Sequence, residues 1–268
     1  MLGETLVNVL LDPGQRPVIA HRGGRARGPE NTLEAMRTAV ADGAEGFEFD
    51  VRVSADGVVM VIHDPTLDRT TNGTGAVERT TAAELRSFDA GLRSTDPPST
   101  SPGSSRIPTL DEVLTEFPAL PMIIEVKAPL AAFPTRKLIE MHDAEDRCLV
   151  DSYSSAALDV FRDSRIRLGA GRNGVVAVLA RSFAGATHPV PAAISALCIP
   201  PSYHGVPLPL RHLAKTMRSA GKPVHIWTIN EPAEARALWA IGASGIITDD
   251  VPAILAARRE TFPHYTTG

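Results

Sequence analysis

FEFDVRVSADGVVMVIHD, residues 47–64, decides how the rest of the chain is read. Two runs of alternating apolar and polar residues flank the Asp56-Gly57 turn, and they carry Glu48, Asp50 and His63. A side-chain period of two sets Glu48 and Asp50 on one face of their strand and Phe47, Phe49 and Val51 on the other. Two carboxylates on one face repel each other, and a divalent cation is the usual group that holds such a pair. A tight hairpin with Ala55 and Asp56 at its tip would set His63 opposite Glu48. If the chain instead re-enters the sheet as a second parallel strand, His63 and the two acids all lie at strand C-terminal ends. Either topology brings imidazole and carboxylates together.

Upstream, PVIAHRGG (17–24) is a short apolar run that ends on His21 and Arg22, the pattern of a buried strand delivering polar side chains at its C-terminal end. Pro29-Glu30-Asn31-Thr32 then opens a helix with Leu33, Met36 and Val40 at helical spacing and Gly43 as its stop. Downstream, residues 65–107 are rich in turns, with one short amphipathic helix near Ala82 to Ser87. Within them RSTDPPSTSPGSSR (93–106) has almost no apolar content, cannot repay its ordering entropy and reads as a mobile surface loop. Thr109 stands three residues before Glu112, a capping-box spacing. PMIIEVKAP (121–129) is a strand with Glu125 and Lys127 on one face, repeating the logic of FEFDV.

The second half alternates in the same manner, through CLVDSY, a helix around Val175 to Arg181, ALCIP, VHIWTIN and GIITDD, each followed by a helical pattern. Strands alternating with helices of about ten residues imply βα units and a parallel sheet. HRGGRARG lacks the G-x-G-x-x-G spacing of a dinucleotide site. Roughly eight strands in one series, each ending in polar residues, predict a (β/α)8 TIM barrel. The expected organisation is one domain over 1–268.

The chain has 268 residues, 43% hydrophobic and 22% charged, enough for a full-sized core. A formal net charge of -4 excludes a general nucleic-acid or anionic-membrane binder, which needs a basic field. Any anionic substrate must then be met by a few local cations. Cys148 and Cys198 sit among aliphatic residues and read as inert buried thiols. MLGETLVNVLLDPGQ lacks a basic n-region and reads as a short helix, no window approaches a membrane span, and the expected location is cytoplasmic. Oligomeric state is not legible.

His21 and Arg22, Glu48 and Asp50, His63, and Glu125 with Lys127 all fall at the ends of consecutive strands, so all seven should converge on one rim. Three carboxylates from two strands suit a hard cation such as Mg²⁺ or Ca²⁺. Two histidines can serve as base and acid on either side of one bond. Arg22 and Lys127 supply positive charge, and the Arg fork suits phosphate oxygens. Together these groups describe cleavage of a phosphate ester. His142, His188, His204, His212 and His225 lack such company and read as structural or solvated; among them His204, in PPSYHGVP, has a substrate contact as its functional alternative. Trp227 reads as core, with an aromatic wall for a glycerol or lipid moiety as its functional alternative.

HRG (21–23), PENT (29–32), the E-x-D of Glu48 and Asp50, the run from Ser54 through HD (63–64) to RTTNGTG (69–75), IPTL (107–110), IEVK (124–127), WT-x-N (227–230) and GIITDD (245–250) together resemble the glycerophosphodiester phosphodiesterase family, over about residues 17 to 253. The resemblance implies a TIM barrel with an insertion of about Pro65 to Ile107 after the third strand, and it favours two parallel barrel strands over the hairpin for residues 47–64. It also implies divalent-metal-dependent hydrolysis of a small-molecule glycerophosphodiester to sn-glycerol 3-phosphate and an alcohol, with Mg²⁺, Ca²⁺ or Mn²⁺ as the ion. Carried over by motif, His21 and His63 are the catalytic pair, Glu48, Asp50 and Glu125 the metal ligands, and Arg22 and Lys127 the phosphate-side cations. DSYS (151–154) departs from the Ser-Phe pair usual in the family, at a position that bears on specificity. Competing readings are lysophospholipid cleavage, a catalytically silent phosphate-binding barrel, and an aldolase-type barrel, for which Lys127 beside Glu125 is a poor Schiff-base lysine.

Overall fold

The computed structural model describes residues 8–91, 105–184 and 190–265, the last residue of the second stretch as backbone alone. In chain order the elements are β1 (Val18–His21), α1 (Leu33–Ala41), β2 (Gly46–Val53), β3 (Val59–Val61), α2 (Ala82–Leu85), α3 (Leu110–Glu116), β4 (Met122–Val126), α4 (Pro129–Met141), β5 (Cys148–Asp151), α5 (Ser155–Asp159), β6 (Arg167–Leu168), α6 (Gly171–Ala184), β7 (Leu197–Ile199), β8 (Ser202–Tyr203), β9 (Val206–Pro207), α7 (Leu210–Ser219), β10 (Val224–Ile226), α8 (Pro232–Ala240), β11 (Ile246–Thr248) and α9 (Val251–Thr261).

Eight of the strands run parallel in the order β6-β5-β4-β2-β1-β11-β10-β7. The two ends of that order meet at a seam where Ser195 N, just before β7, donates to Leu168 O of β6 at 2.8 Å. The curled sheet with helices on its outside is a TIM barrel, as expected. Phe47, Phe49 and Val51 are fully buried between sheet and helices, while Ile19, Ile123, Leu149 and Ile247 fill the interior. Leu10 joins that inner layer from below. The expected N-terminal helix falls partly on residues 1–7, outside the described residues; Asn8 to Leu11 form a turn.

β3 is not one of the eight. It pairs antiparallel with β2, Val51 opposite Val61 and Arg52 opposite Met60. For residues 47–64 the hairpin is therefore correct and the pair of parallel barrel strands that the resemblance favoured is not, and the insertion follows a third strand that lies outside the barrel proper. Its loop has three residues, not two. Ser54 N donates to Val58 O at 2.9 Å, Gly57 N to Ser54 O at 3.1 Å, and Gly57 takes the left-handed φ of +84° that such a loop requires. Asp56 Oδ1 accepts from Ser54 Oγ and from Ala82 N. The extra residue shifts the register by one from that of a tight turn, so the pairing does not set His63 opposite Glu48. β2 overshoots the rim and β3 returns to it, with Ile62 N donating to Asp50 O at 3.0 Å.

α1 is capped by Thr32 and buries Ala35, Met36 and Ala39; Val40, expected inside, is 42% exposed. The Thr109–Glu112 capping box is present at α3, and the short helix expected near Ala82 is α2. Past β3, residues Leu67, Val77, Leu85 and Ile107 gather with Met60 and Ile62 in a small core of their own. Most of the segment expected to be a mobile loop, 93–106, lies outside the described residues; Ser105 is inside and its Oγ donates to Glu34 Oε2 at 2.8 Å.

Candidate active site

At the C-terminal ends of the barrel strands lies a cavity of about 390 Å³, and all seven residues expected at the rim line it: His21, Arg22, Glu48, Asp50, His63, Glu125 and Lys127. β1, β2 and β4 are adjacent, with Glu48 beside His21 and Asp50 beside Glu125 in the parallel register. Period-two alternation sends Glu48 and Asp50 inward while Phe47 and Phe49 anchor the strand outward.

Carboxylate oxygens of Glu48, Asp50 and Glu125 lie within 4.8 Å of one another, close enough to hold one metal ion. Burying an ionised group costs several kcal/mol even after relaxation, more than the about 1.5–3 kcal/mol that burying each Phe contributes. The acids persist because cations face them. Lys127 Nζ reaches Asp50 Oδ1 at 3.1 Å and Glu125 Oε2 at 2.9 Å, and Arg22 Nε lies 3.5 Å from Asp50 Oδ2. Asn31 Nδ2 also donates to Asp50 Oδ2 at 3.1 Å. Burial raises the Asp50 carboxyl, but Lys127, His63, Arg22 and this hydrogen bond together outweigh it and leave it lowered. Glu48 has no comparable company: burial and then the Asp50 charge push it up to about 8. Glu125 Oε1 is buried with no hydrogen-bond partner. An all-oxygen donor set with one orphaned oxygen and one carboxyl short of positive charge fits a hard divalent cation.

Both histidines are held by a carboxylate through Nδ1, which leaves Nε2 for other partners; that of His21 lies 3.9 Å from Glu48 Oε2. His21 Nδ1 lies 2.7 Å from Asp249 Oδ1, and His63 Nδ1 lies 2.6 Å from Asp64 Oδ1. Burial lowers His21, yet the Asp249 hydrogen bond and the Glu48 and Asp249 charges raise it overall; His63 is lowered, chiefly by burial. Asp64 is itself held down at about 2, against its burial, by hydrogen bonds from Arg69 and His63. The buried Glu30 carboxylate joins the two sides, accepting from Arg22 Nη1 at 2.9 Å and Arg69 Nη2 at 2.7 Å. Arg22 and Asn31 both adopt positive φ, 49° and 59°, and Asn31 N donates to Arg22 O at 2.7 Å. Non-glycine residues accept that strain only where surrounding contacts over-determine them.

Asp249, Asp64, Glu30, Asn31 and Arg69 were not singled out from sequence, although each lies inside a motif quoted above. The signal for Asp64 was its adjacency to His63. For Asp249 it was the strand end before it, since the last strand of a closed barrel must return beside the first. His204 sits at the tip of the β8–β9 hairpin with φ 48°, packed on Tyr203, and of the two it is Tyr203 that lines the cavity. Trp227 also lines it. Cys148 is buried, which pushes its thiol up to about 12; Cys198 lines the cavity floor and is likewise raised by burial. His225 is fully buried, donating through Nε2 to Leu10 O at 2.8 Å while Nδ1 accepts from Gly245 N at 3.1 Å. Asp151, unassigned from sequence beyond its place in DSYS, lies under the cavity with its Oδ1 accepting from Ser152 N and Gly171 N.

A TIM barrel whose rim gathers three acids, two histidines and two cations around one cavity defines an enzyme of anionic substrates. Residues 21–253 match the Glycerophosphoryl diester phosphodiesterase family. A glycerophosphodiester phosphodiesterase from Caldanaerobacter subterraneus subsp. tengcongensis is 31% identical over 242 residues, covering 87% of this chain and 93% of that protein. Among solved structures, a glycerophosphodiester phosphodiesterase from Agrobacterium tumefaciens superposes with a TM-score of 0.73 at 27% identity, over 91% of this chain and 99% of that one. An Oleispira antarctica phosphodiesterase, solved with the product sn-glycerol-3-phosphate, superposes with a TM-score of 0.71 at 25% identity, over 91% and 96%. The chain belongs to the glycerophosphoryl diester phosphodiesterase family and is a phosphoric diester hydrolase.

Proposed function

We propose that the chain hydrolyses glycerophosphodiesters to sn-glycerol 3-phosphate and an alcohol, with His21 and His63 as the acid–base pair. The observation that carries this reading is the pair of imidazoles on one cavity, each with Nδ1 taken by an aspartate. That arrangement sets the tautomer and presents Nε2 to the reacting atoms, so one ring takes the proton of the attacking water and the other protonates the leaving alkoxide. Glu48, Asp50 and Glu125 would hold a divalent cation, Mg²⁺, Ca²⁺ or Mn²⁺. Such an ion supplies charge stabilisation to the non-bridging phosphate oxygens. Lys127 bridges Asp50 and Glu125 and adds its own charge beside the phosphate, and Arg22, braced on Glu30, adds charge from the other side. The sn-glycerol-3-phosphate held by the Oleispira antarctica neighbour supports the assignment of the phosphate-bearing product.

His21→Ala and His63→Ala should each abolish release of sn-glycerol 3-phosphate from glycerophosphocholine, with divalent-ion binding and thermal unfolding close to those of the parent protein. Near-parental turnover in either variant overturns the acid–base assignment.

A further inference from the structure

The barrel topology splits the cavity into two unlike halves. The acids, Arg22, Lys127 and both histidines come from β1, β2, β4 and the returning hairpin, which are neighbours in the sheet. The facing half is built on the other side of the barrel, around the seam between β6 and β7: Val175, Val176 and Leu179 of α6, Ile199 of β7, Tyr203 of β8 and Trp227 just past β10. Its charged side chains are Arg172, at the start of α6, and Asp151, one of whose oxygens is engaged by two backbone N–H groups. Val175 and Leu179 are one helical turn apart and so share a face of α6. Val176 lines the same cavity and is 60% exposed, an apolar side chain that folding leaves in water at the mouth of the pocket. The cavity, about 390 Å³, is of the size that encloses drug-sized ligands, larger than glycerol and phosphate need.

We propose that this half binds a hydrocarbon arm of the phosphodiester, so that the chain acts on amphiphilic glycerophosphodiesters in preference to those with a small polar alcohol. The inference rests on the phosphodiesterase reading of the polar half. Two substrate types carry the required chemistry. In one, an alkanol is esterified to glycerol phosphate and leaves on cleavage. In the other, a lysophospholipid, the chain is borne by the glycerol and stays with the phosphate.

The test measures kcat/KM of the full chain with a divalent cation on two series, at concentrations below micelle formation. One is glycerophospho-alkanols from ethanol to octanol; the other is 1-acyl-glycerophosphocholines of increasing chain length, with glycerophosphocholine as the chainless reference. Along at least one series kcat/KM should rise about fourfold per methylene, corresponding to about 0.8 kcal/mol per buried CH₂, until the half-pocket is filled. The product, sn-glycerol 3-phosphate or an acylglycerol phosphate, tells which arm enters it. Val176→Asp, at an exposed position that the fold tolerates, and Tyr203→Ser, on the facing wall, should each lower the ratio of longest to shortest chain by about tenfold or more. Cleavage of glycerophosphocholine and glycerophosphoethanol with both series flat overturns the inference and leaves the phosphodiesterase reading standing, as does a rise that neither variant diminishes. No cleavage of any member, glycerophosphocholine included, overturns both.

Discussion

Replacing Asp249 by Asn keeps the size of the side chain and removes the charge that faces His21. In the parent protein Asp249 Oδ1 lies 2.7 Å from His21 Nδ1, its Oδ2 accepts from Asn230 Nδ2 at 2.9 Å, and its backbone N donates to Asn230 Oδ1 at 2.8 Å. The aspartate is therefore held from two sides and points one oxygen at the ring. Its side chain is only 17% exposed, so water replaces it poorly. A hydrogen bond to a charged group contributes about 1.5–3 kcal/mol, and the imidazole is charged while it holds the proton it transfers. Asp249→Asn should thus lower kcat on glycerophosphocholine by about 10- to 150-fold. The loss should fall on kcat and leave the divalent-ion requirement unchanged, because Asp249 lies outside the group of acids close enough to share an ion. The Asp249 hydrogen bond is the largest influence raising His21, so the pH limb that reports His21 should move to lower pH in the variant. The assay is steady-state release of the alcohol across pH at several divalent-ion concentrations. A loss smaller than about threefold, under 1 kcal/mol, or a loss restored by added metal, would refute the argument that Asp249 acts by positioning the imidazole.

Two further outcomes follow from neighbouring residues. Glu48→Gln should raise the divalent-ion concentration needed for half-maximal activity by at least about tenfold, yet leave the metal-free protein as stable as the parent or more so. Burial and Asp50 already push the Glu48 carboxyl up to about 8, and the amide relieves that repulsion; a markedly lower unfolding temperature for the metal-free variant would contradict this. His225 is held neutral by complete burial, which lowers its pKa to about 4 from 6.5. The unfolded chain takes up that proton first, so the stabilisation present above pH 6.5 is lost progressively as pH falls toward 4, by about 3 kcal/mol at the end of the window. His225→Gln, which can still donate to Leu10 O, should flatten the pH dependence of denaturant unfolding in that range. Equal slopes for variant and parent would remove His225 as its source.

Much of the fold was legible because it depends on local pattern. The eight βα alternations, the Thr109–Glu112 capping box and the inward placement of Glu48 and Asp50 all follow from periods of 3.6 and 2 along the chain. The carboxylate trio was legible for the same reason, since a charged residue at an inward strand position has few uses other than chemistry. The turn after Val53 was not. Asp-Gly pointed to a two-residue loop, whereas the loop that forms has three residues, and its Asp56 carboxylate accepts from Ala82 N, a partner distant in sequence. That single residue of loop length sets the β2–β3 register, with Val61 opposite Val51.

The sequence by itself determined the chemistry available: which strands end in acids, histidines and cations, and therefore that a phosphodiester could be cleaved at one rim. Tertiary structure alone decided how those groups are oriented. His21 and Asp249 are separated by 227 residues and become partners only because the last barrel strand closes against the first, Val18 beside Ile246 and Ala20 beside Thr248. The division of the cavity into an ionic and an apolar half arises in the same way. Local pattern places each side chain on a face of its own element, whereas the order of strands around a closed barrel decides which faces look at one another.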